Sequence, residues 1–330
     1  MPDKHETKLR AEQYLHKVAD HVAKEVIERH YPGNALDIES RIERQDAVVY
    51  KLANKYGEKQ VLRLSSNPHW LADNTAKAHQ AWRELKVPTP EVFAHGQIER
   101  LQYIVMEYIH DRLFDFTLPY ETQLTTMSSM AATLARMRSV TIDGFGYLNE
   151  SGVGSFAAWP DFLAYRYTPQ WAVENGILDA NEAQKVKDFI AELRPGPATA
   201  VLLHGDFKPK NMAIDSKGNV TVVTDPQVLG GDPLWDVATF NHFIYREQAR
   251  QGKDLHDDAF SKLRNNFYQA YVEALGHDLD GTEQKRLMGY ELVIGAEKVE
   301  RLLRRAQDSQ EAKQILKFTK QKLSDFTPFG

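Results

Sequence analysis

The stretch Val201–Asp236, VLLHGDFKPKNMAIDSKGNVTVVTDPQVLGGDPLWD, constrains this chain more than any other. Two short apolar runs, Met212–Ile214 and Val220–Val223, flank Ser216-Lys217-Gly218-Asn219, the pattern of a β-hairpin around a polar, glycine-containing turn. Asp206 and Asn211 lie just before the hairpin and Asp225 just after it. Closing the hairpin therefore gathers two carboxylates and an amide into one small space. Such a set supplies a base and two oxygen donors for a hard cation. Phosphoryl transfer uses that set, because it depends on positioning and charge neutralisation rather than on covalent help from the protein. In this reading Asp206 orients an acceptor hydroxyl and takes its proton. Asn211 and Asp225 hold Mg²⁺, and Lys208 acts as a point charge on the transferring phosphoryl group. Any one of these residues alone is better explained as a turn former or strand end; the three together favour a site.

The order of the motifs resembles the kinase superfamily. His204-Gly205-Asp206-Phe207-Lys208-Pro209-Lys210-Asn211 is similar to its H-x-D-x-x-x-x-N catalytic loop. Three departures from protein kinases look like the aminoglycoside phosphotransferase and choline kinase branch: Gly205 in place of Arg, Asp225-Pro226-Gln227 in place of D-F-G, and Gly231-Asp232-Pro233-Leu234-Trp235-Asp236, which resembles G-D-P-x-x-D. The resemblance implies an α+β, bilobal protein kinase-like fold. Residues 1–110 would form a small antiparallel-sheet lobe that binds nucleotide, and residues 111–330 a mainly helical lobe carrying the catalytic and acceptor sites. It implies an enzyme that transfers the γ-phosphate of ATP or GTP to a hydroxyl of an aminoglycoside, amino sugar, sugar or amino alcohol. The family hosts many acceptors on one scaffold, so the name does not fix the substrate. His204 is expected to orient the loop through backbone hydrogen bonds. Asp232 before Pro233 reads as an N-cap with proline in the first helical turn, and Asp236 as a brace behind the catalytic loop. Only Gln227–Asp236 separates the metal aspartate from the brace helix, too little for an activation segment, which argues against a protein acceptor.

Composition narrows the alternatives. The 330 residues, 42% hydrophobic, carry a formal net charge of −5, which offers no general basic field for nucleic acid or a membrane surface. There is no cysteine, which excludes disulfides and thiol catalysis. The opening MPDKHETKLR leads into no apolar core and no apolar run approaches membrane-spanning length, so a cytoplasmic protein without a signal peptide is expected.

Along the chain, helical spacing runs from about Leu9 to Arg29 and ends at Tyr31-Pro32-Gly33-Asn34. Strands are expected at Ile38–Ile42, Ala47–Ala53 and Gln60–Leu64. Within the last, Val61-Leu62-Arg63-Leu64 is similar to the strand that carries the family's phosphate-contacting cation, which makes Arg63 the candidate; an ordinary strand-surface Arg is the competing explanation. The turn Glu43-Arg44-Gln45-Asp46 lacks the glycines the family usually places over the phosphates. The helix Asp73–Leu85 should supply an acid to Arg63, yet only Asp73 and Glu84, near its ends, are available. Val87-Pro88-Thr89-Pro90 resembles the family's V-P-x-P. Leu101–Ile109 resembles the lobe-connecting segment, where the backbone carbonyl near Glu107 and the N–H near Ile109 would meet the adenine edge.

Helices follow at Thr117–Arg138 and at Asn181–Leu193, the latter closed by Pro195-Gly196-Pro197. Beyond Asp236 they run over Val237–Gln251, Asp257–Leu275 and Glu283 to about Leu323. The aromatic run Phe156–Trp171 reads as helix packing ahead of sugar stacking. Arg301, Arg304 and Arg305 read as a solvated helix face. Asp254, Asp257 and Asp258 would suit a cationic acceptor, but they sit where a helix begins and capping explains them at least as well. The alternative to an enzyme is a nucleotide-binding kinase relative without transferase activity, motivated by the glycine-free turn and the unplaced helix acid. The presence of Asp206, Asn211 and Asp225 together favours the enzyme.

Overall fold

The computed structural model describes residues 4–33, 36–193, 199–253, 257–305 and 310–325. Helix α1 (Lys4–His30) buries Leu15, Ala19, Val22, Ala23 and Val26, spaced at three and four residues so that they share one face. That face packs on a sheet built from β1 (Asp37–Glu43), β2 (Ala47–Ala53), β3 (Lys59–Ser65), β4 (Val92–Ile98) and β5 (Leu101–Glu107), with helix α2 (Ala72–Glu84) between β3 and β4. The strand order is β1-β2-β3-β5-β4 and every pairing is antiparallel. Period-2 alternation puts Val48, Tyr50 and Leu52 of β2 into the core beneath α1, together with Leu62, Leu64 and Tyr103.

Helix α2 does not belong to that core. Its Ala78 and Trp82 join the larger core of the helical region, and its Asn74 side chain donates to the carbonyls of Leu148 (3.3 Å) and Asn149 (3.0 Å). The helix therefore ties the sheet to everything that follows.

The chain continues through β6 (Arg112–Leu113), α3 (Tyr120–Met137), β7 (Thr141–Ile142), β8 (Phe145–Leu148), β9 (Gly154–Phe156), α4 (Trp159–Arg166), α5 (Gln170–Glu174) and α6 (Ala180–Glu192). Next come β10 (Ala200–Leu203), a 3₁₀ turn (Pro209–Asn211), β11 (Met212–Ile214), β12 (Val220–Val223) and β13 (Leu229–Gly231). Helices α7 (Leu234–Arg250), α8 (Asp258–Leu275), α9 (Gly281–Arg305) and α10 (Gln310–Asp325) complete it. Two small antiparallel sheets, β7-β10-β13-β8-β9 and β12-β11-β6, carry the strands of residues 200–231 within this helical region. The architecture is the α+β arrangement that the motifs imply.

Some expectations change. The single helix from Glu283 to about Leu323 is two helices, α9 and α10, packed against each other. The aromatic run is divided among β9, α4 and α5; Trp159 and Phe162 are fully buried, which is packing. Asn34, Pro195-Gly196-Pro197 and Asp254 lie outside the described residues. Among the described residues no helix is long and apolar enough to cross a membrane.

Candidate active site

Strand β10 delivers the chain to His204, and the loop then turns through the 3₁₀ turn into the β11–β12 hairpin. Met212 pairs with Val223, and Thr224 N–H donates to the Asn211 carbonyl at 2.9 Å. Asn211 and Asp225 are thereby held at the open end of the hairpin. At its closed end Asp215 accepts from the backbone N–H groups of Lys217 (2.9 Å) and Asn219 (2.8 Å), which fixes the turn and with it the register. Asp225 has φ +59°, in the left-handed region that Asp enters more readily than most residues, so the backbone changes course at this carboxylate.

The loop is braced from α7. One oxygen of Asp236 accepts from the N–H of His204 (2.8 Å), the other from the N–H of Gly205 (2.9 Å). Burial pushes this carboxyl up to about 7, against the two backbone donors that favour its ionised form. Gly205 is required here: its φ is +72°, and an added Cβ would lie 2.3 Å from the Gln227 carbonyl oxygen. His204 is fully buried, and burial pulls its imidazole down to about 4. Its Nε2 lies 3.0 Å from the Thr224 carbonyl and its Nδ1 3.3 Å from the Asp206 N–H. That pattern assigns the neutral tautomer with the proton on Nε2. Its ring lies parallel to Trp82 of α2, centroids 6.2 Å apart. His204 orients the loop, as expected.

Asp232 does the capping expected of it: although the hydrogen-bonded helix α7 begins at Leu234, Pro233 already has helical dihedrals, φ −57° and ψ −24°. One Asp232 oxygen accepts from the Leu234 N–H at 3.0 Å. The other takes Arg286 (2.7 Å) and the Tyr290 hydroxyl (2.8 Å) from α9, so the residue bolts α7 to α9.

The remaining charges converge at the mouth of the loop. Lys208 forms an ion pair with Asp206, and Asn211 Nδ2 donates to the Asp206 backbone carbonyl (3.0 Å) and carboxylate (3.3 Å). Arg63, on β3, forms an ion pair with Asp225, its guanidinium 4.7 Å from the centre of the Trp70 ring. The structure thus brings Asp206, Lys208, Asn211, Asp225 and Arg63 together. The acid sought on α2 is not Arg63's partner: Asp73 pairs with Lys77 (2.6 Å) and lies 3.7 Å from His95. The helix is coupled to the catalytic loop through the Trp82–His204 contact instead.

Glu107 ends β5, where it pairs with Gln60, while Arg63 pairs with Ile104. That is three residues along the strand, roughly 10 Å. Ile109 lies two residues beyond the end of β5. The glycine-free turn is held by polar contacts: the Asp46 carbonyl accepts from Ser65 Oγ (2.9 Å) and Ser66 N–H (3.1 Å), and the Asp46 carboxylate from Asn67 (3.2 Å). Ser65-Ser66-Asn67-Pro68 is a turn-forming string whose part in this contact has no short-range signature.

Among the described residues no group of three or more His, Cys, Asp or Glu is arranged to hold a metal ion. The donors at the hairpin, one carboxylate and one amide oxygen, fit a Mg²⁺ that draws its remaining ligands from phosphate and water.

A small antiparallel sheet, a mainly helical region and an H-G-D loop facing a hairpin-end aspartate define a phosphotransferase of protein kinase-like fold. The profile of the phosphotransferase enzyme family matches residues 43–286, and the chain belongs to that family. It is 29% identical to the hygromycin-B 4-O-kinase of Escherichia coli over 243 residues, 67% of each chain. The crystal structure of aminoglycoside phosphotransferase APH(4)-Ia superposes with a TM-score of 0.64 at 21% identity, covering 94% of this chain and 99% of that one. A ternary complex of its thermostable mutant with AMP-PNP and hygromycin B superposes with a TM-score of 0.63 at 22% identity, covering 92% and 98%.

Proposed function

We propose that this protein transfers the γ-phosphoryl group of ATP or GTP to a hydroxyl of a small molecule, with a nucleotide-binding lobe ending near residue 110. The observation that carries this is the convergence of Asp206, Asn211, Asp225 and Arg63 at the open end of one hairpin. Asp206 receives the acceptor's proton. Its backbone N–H donates to His204 and its carbonyl accepts from Asn211, and these bonds hold the loop that presents the carboxylate. Asn211 and Asp225 are the residues that would hold Mg²⁺, which when bound neutralises charge on the nucleotide phosphates. The Lys208–Asp206 pair is partly exposed and exchanges a carboxylate for a phosphate at little cost, while Arg63, paired with Asp225, offers a phosphate a largely buried guanidinium whose Nε has no partner among the described residues. The backbone near Glu107 and Ile109 is the proposed adenine edge. Hygromycin-B 4-O-kinase activity in the relative supports a small-molecule acceptor, and the AMP-PNP complex supports a nucleoside triphosphate donor.

The test is ATP and GTP turnover with Mg²⁺ against a panel of aminoglycosides, amino sugars, sugars and amino alcohols. At least one acceptor is expected to stimulate turnover. In Asp225→Ala the Mg²⁺-dependent part of nucleotide binding is expected to disappear, weakening affinity tenfold or more, about 1.4 kcal/mol. Nucleotide binding that ignores both Mg²⁺ and Asp225 would remove the assignment.

A further inference from the structure

Asp206 is flanked from the helical side by cations. Lys298 of α9 is half-buried and within electrostatic reach of both the Asp206 carboxylate and the Lys208 ammonium. Its other charged neighbours are Arg301, about one turn further along α9, and Arg246 of α7. Among the described residues Lys298 has neither an ion-pair nor a hydrogen-bond partner. Burial first, then Arg301 and Arg246, push its amine down to about 7.

His242 of α7 belongs to the same cluster. It is 6% exposed, both ring nitrogens lack a partner among the described residues, and Lys298, Arg246, Arg301 and Lys322 surround it. Glu311 pairs with Arg246 and Glu291 with Lys322 and Asn241, which leaves Lys298 as the cation of the cluster without a carboxylate among the described residues. Glu297 accepts from Arg166 Nε at 2.7 and 2.9 Å. A buried imidazole without partners, beside an amine facing two guanidiniums, is costly if its only purpose is stability. An oxyanion placed among them would offset both costs at once.

We infer that the acceptor of this enzyme carries an anionic group, a carboxylate or a phosphate, seated by Lys298 and Arg301 while its hydroxyl reaches Asp206. This rests on the phosphotransferase reading above and names the acceptor class for the same site. His242 offers a neutral N–H from within the cluster. The reaction keeps its form. The acceptor oxygen bonds to the γ-phosphorus, the bond from that phosphorus to the β,γ-bridging oxygen breaks, and the nucleoside diphosphate leaves with that oxygen. The hydroxyl proton passes to Asp206. A polycationic acceptor would instead meet like charge beside Asp206. Of the acids Asp254, Asp257 and Asp258 that would suit such an acceptor, Asp257 uses one carboxylate oxygen to accept from the N–H groups of Ala259 and Phe260.

The experiment compares gluconate, glucose 6-phosphate, glucosamine and hygromycin B as acceptors with Mg²⁺-ATP. It uses wild type, Lys298→Gln, Lys298→Arg and Arg301→Gln. Turnover is expected with gluconate or glucose 6-phosphate, and which of the two works separates carboxylate from phosphate. In Lys298→Gln the KM for that acceptor should rise tenfold or more with kcat within about twofold, and Lys298→Arg should restore most of it. A purely structural role for Lys298 would lower kcat and thermal stability together and spare the selectivity. Turnover with glucosamine or hygromycin B alone, indifferent to Lys298, overturns the inference and leaves the kinase reading intact. If no acceptor is turned over, calorimetric binding of gluconate and glucose 6-phosphate decides. Binding that weakens tenfold in Lys298→Gln upholds the anion site while the transfer reaction fails, and no binding of either removes the site.

Discussion

The aspartates of the 206–236 segment fall into two regions that use the same side chain in opposite ways. At the mouth, Asp206 and Asp225 are 26% and 51% exposed, and each faces a cation on a long, rotatable stem. At the base, Asp232 and Asp236 are 0% and 1% exposed. They are held by Arg286, the Tyr290 hydroxyl and three backbone N–H groups. An ion pair in reach of water is worth little and changes partners easily. A buried carboxylate with fixed donors does not, because removing it strands those donors out of water. In the proposed reaction the mouth charges are therefore the ones traded for phosphate and metal, while the base carboxyls hold the loop that presents them.

The sharpest test crosses the two regions. Asp206→Ala is expected to lower kcat by about 10² to 10⁴, the usual worth of a positioned base, while shifting the free energy of unfolding by less than about 1 kcal/mol. Asp236→Ala leaves the His204 and Gly205 N–H groups buried without an acceptor and is expected to cost about 2–5 kcal/mol. Urea unfolding and turnover measured side by side on both variants check this. Equal destabilisation by the two substitutions would dissolve the distinction between mouth and base.

The base also sets how the protein responds to acid. His79 and His204 are drawn down to about 4 and His242 to about 3, in each case chiefly by burial. The unfolded chain takes up protons on these residues below about pH 6.5, and the folded chain does not until its own lower values are reached. Their stabilisation is thus complete above that point and is lost as pH falls towards 4. Asp236 runs the other way. Raised to about 7, it holds a proton in the folded state that an unfolded Asp releases above 3.8, so its contribution improves as pH falls from 7. Three imidazoles against one carboxyl leave a net loss of up to about 3 kcal/mol per pH unit between about pH 6 and 5. Urea midpoints across that range measure it. His242→Leu should flatten the slope by about one imidazole's share, up to about 1.4 kcal/mol per pH unit.

The catalytic segment was legible because its geometry is local. Asp206, Asn211 and Asp225 are joined by one hairpin whose turn and apolar runs announce themselves, so spacing alone gathers them. The strand bearing Arg63, the helix bearing Trp82 and the helices after Asp236 could be read from periodicity for the same reason. What stayed hidden depends on contacts between distant segments. Arg63 meets Asp225 across 162 positions of sequence, so its partner does not lie on the nearest helix. Strand β6 has two residues, too few to show alternation, yet it completes the hairpin's sheet. The break between α9 and α10 is masked by charge patterning suited to one long helix. The cations around His242 come from α7, α9 and α10, which no window of sequence brings together.

The smallest expected effect concerns a carboxylate belonging to neither region. Asp257 is a surface aspartate at the start of α8, and one of its oxygens accepts from the N–H groups of Ala259 (3.0 Å) and Phe260 (3.3 Å). A cap of this kind is worth about 1 kcal/mol. Asp257→Ala should lower the unfolding free energy by that amount, and Asp257→Asn or Asp257→Ser should recover most of it, because each keeps an acceptor for the same donors. The KM for every acceptor, cationic or anionic, should stay within about twofold of wild type. The opposite pattern, an unchanged unfolding free energy with a tenfold rise in KM for a polyamine such as hygromycin B, would move Asp257 to the mouth and make charge on the acceptor positive. The capping outcome leaves Lys298 and Arg301 as the charges that select the acceptor, whereas the opposite outcome would require an acceptor that carries both signs of charge.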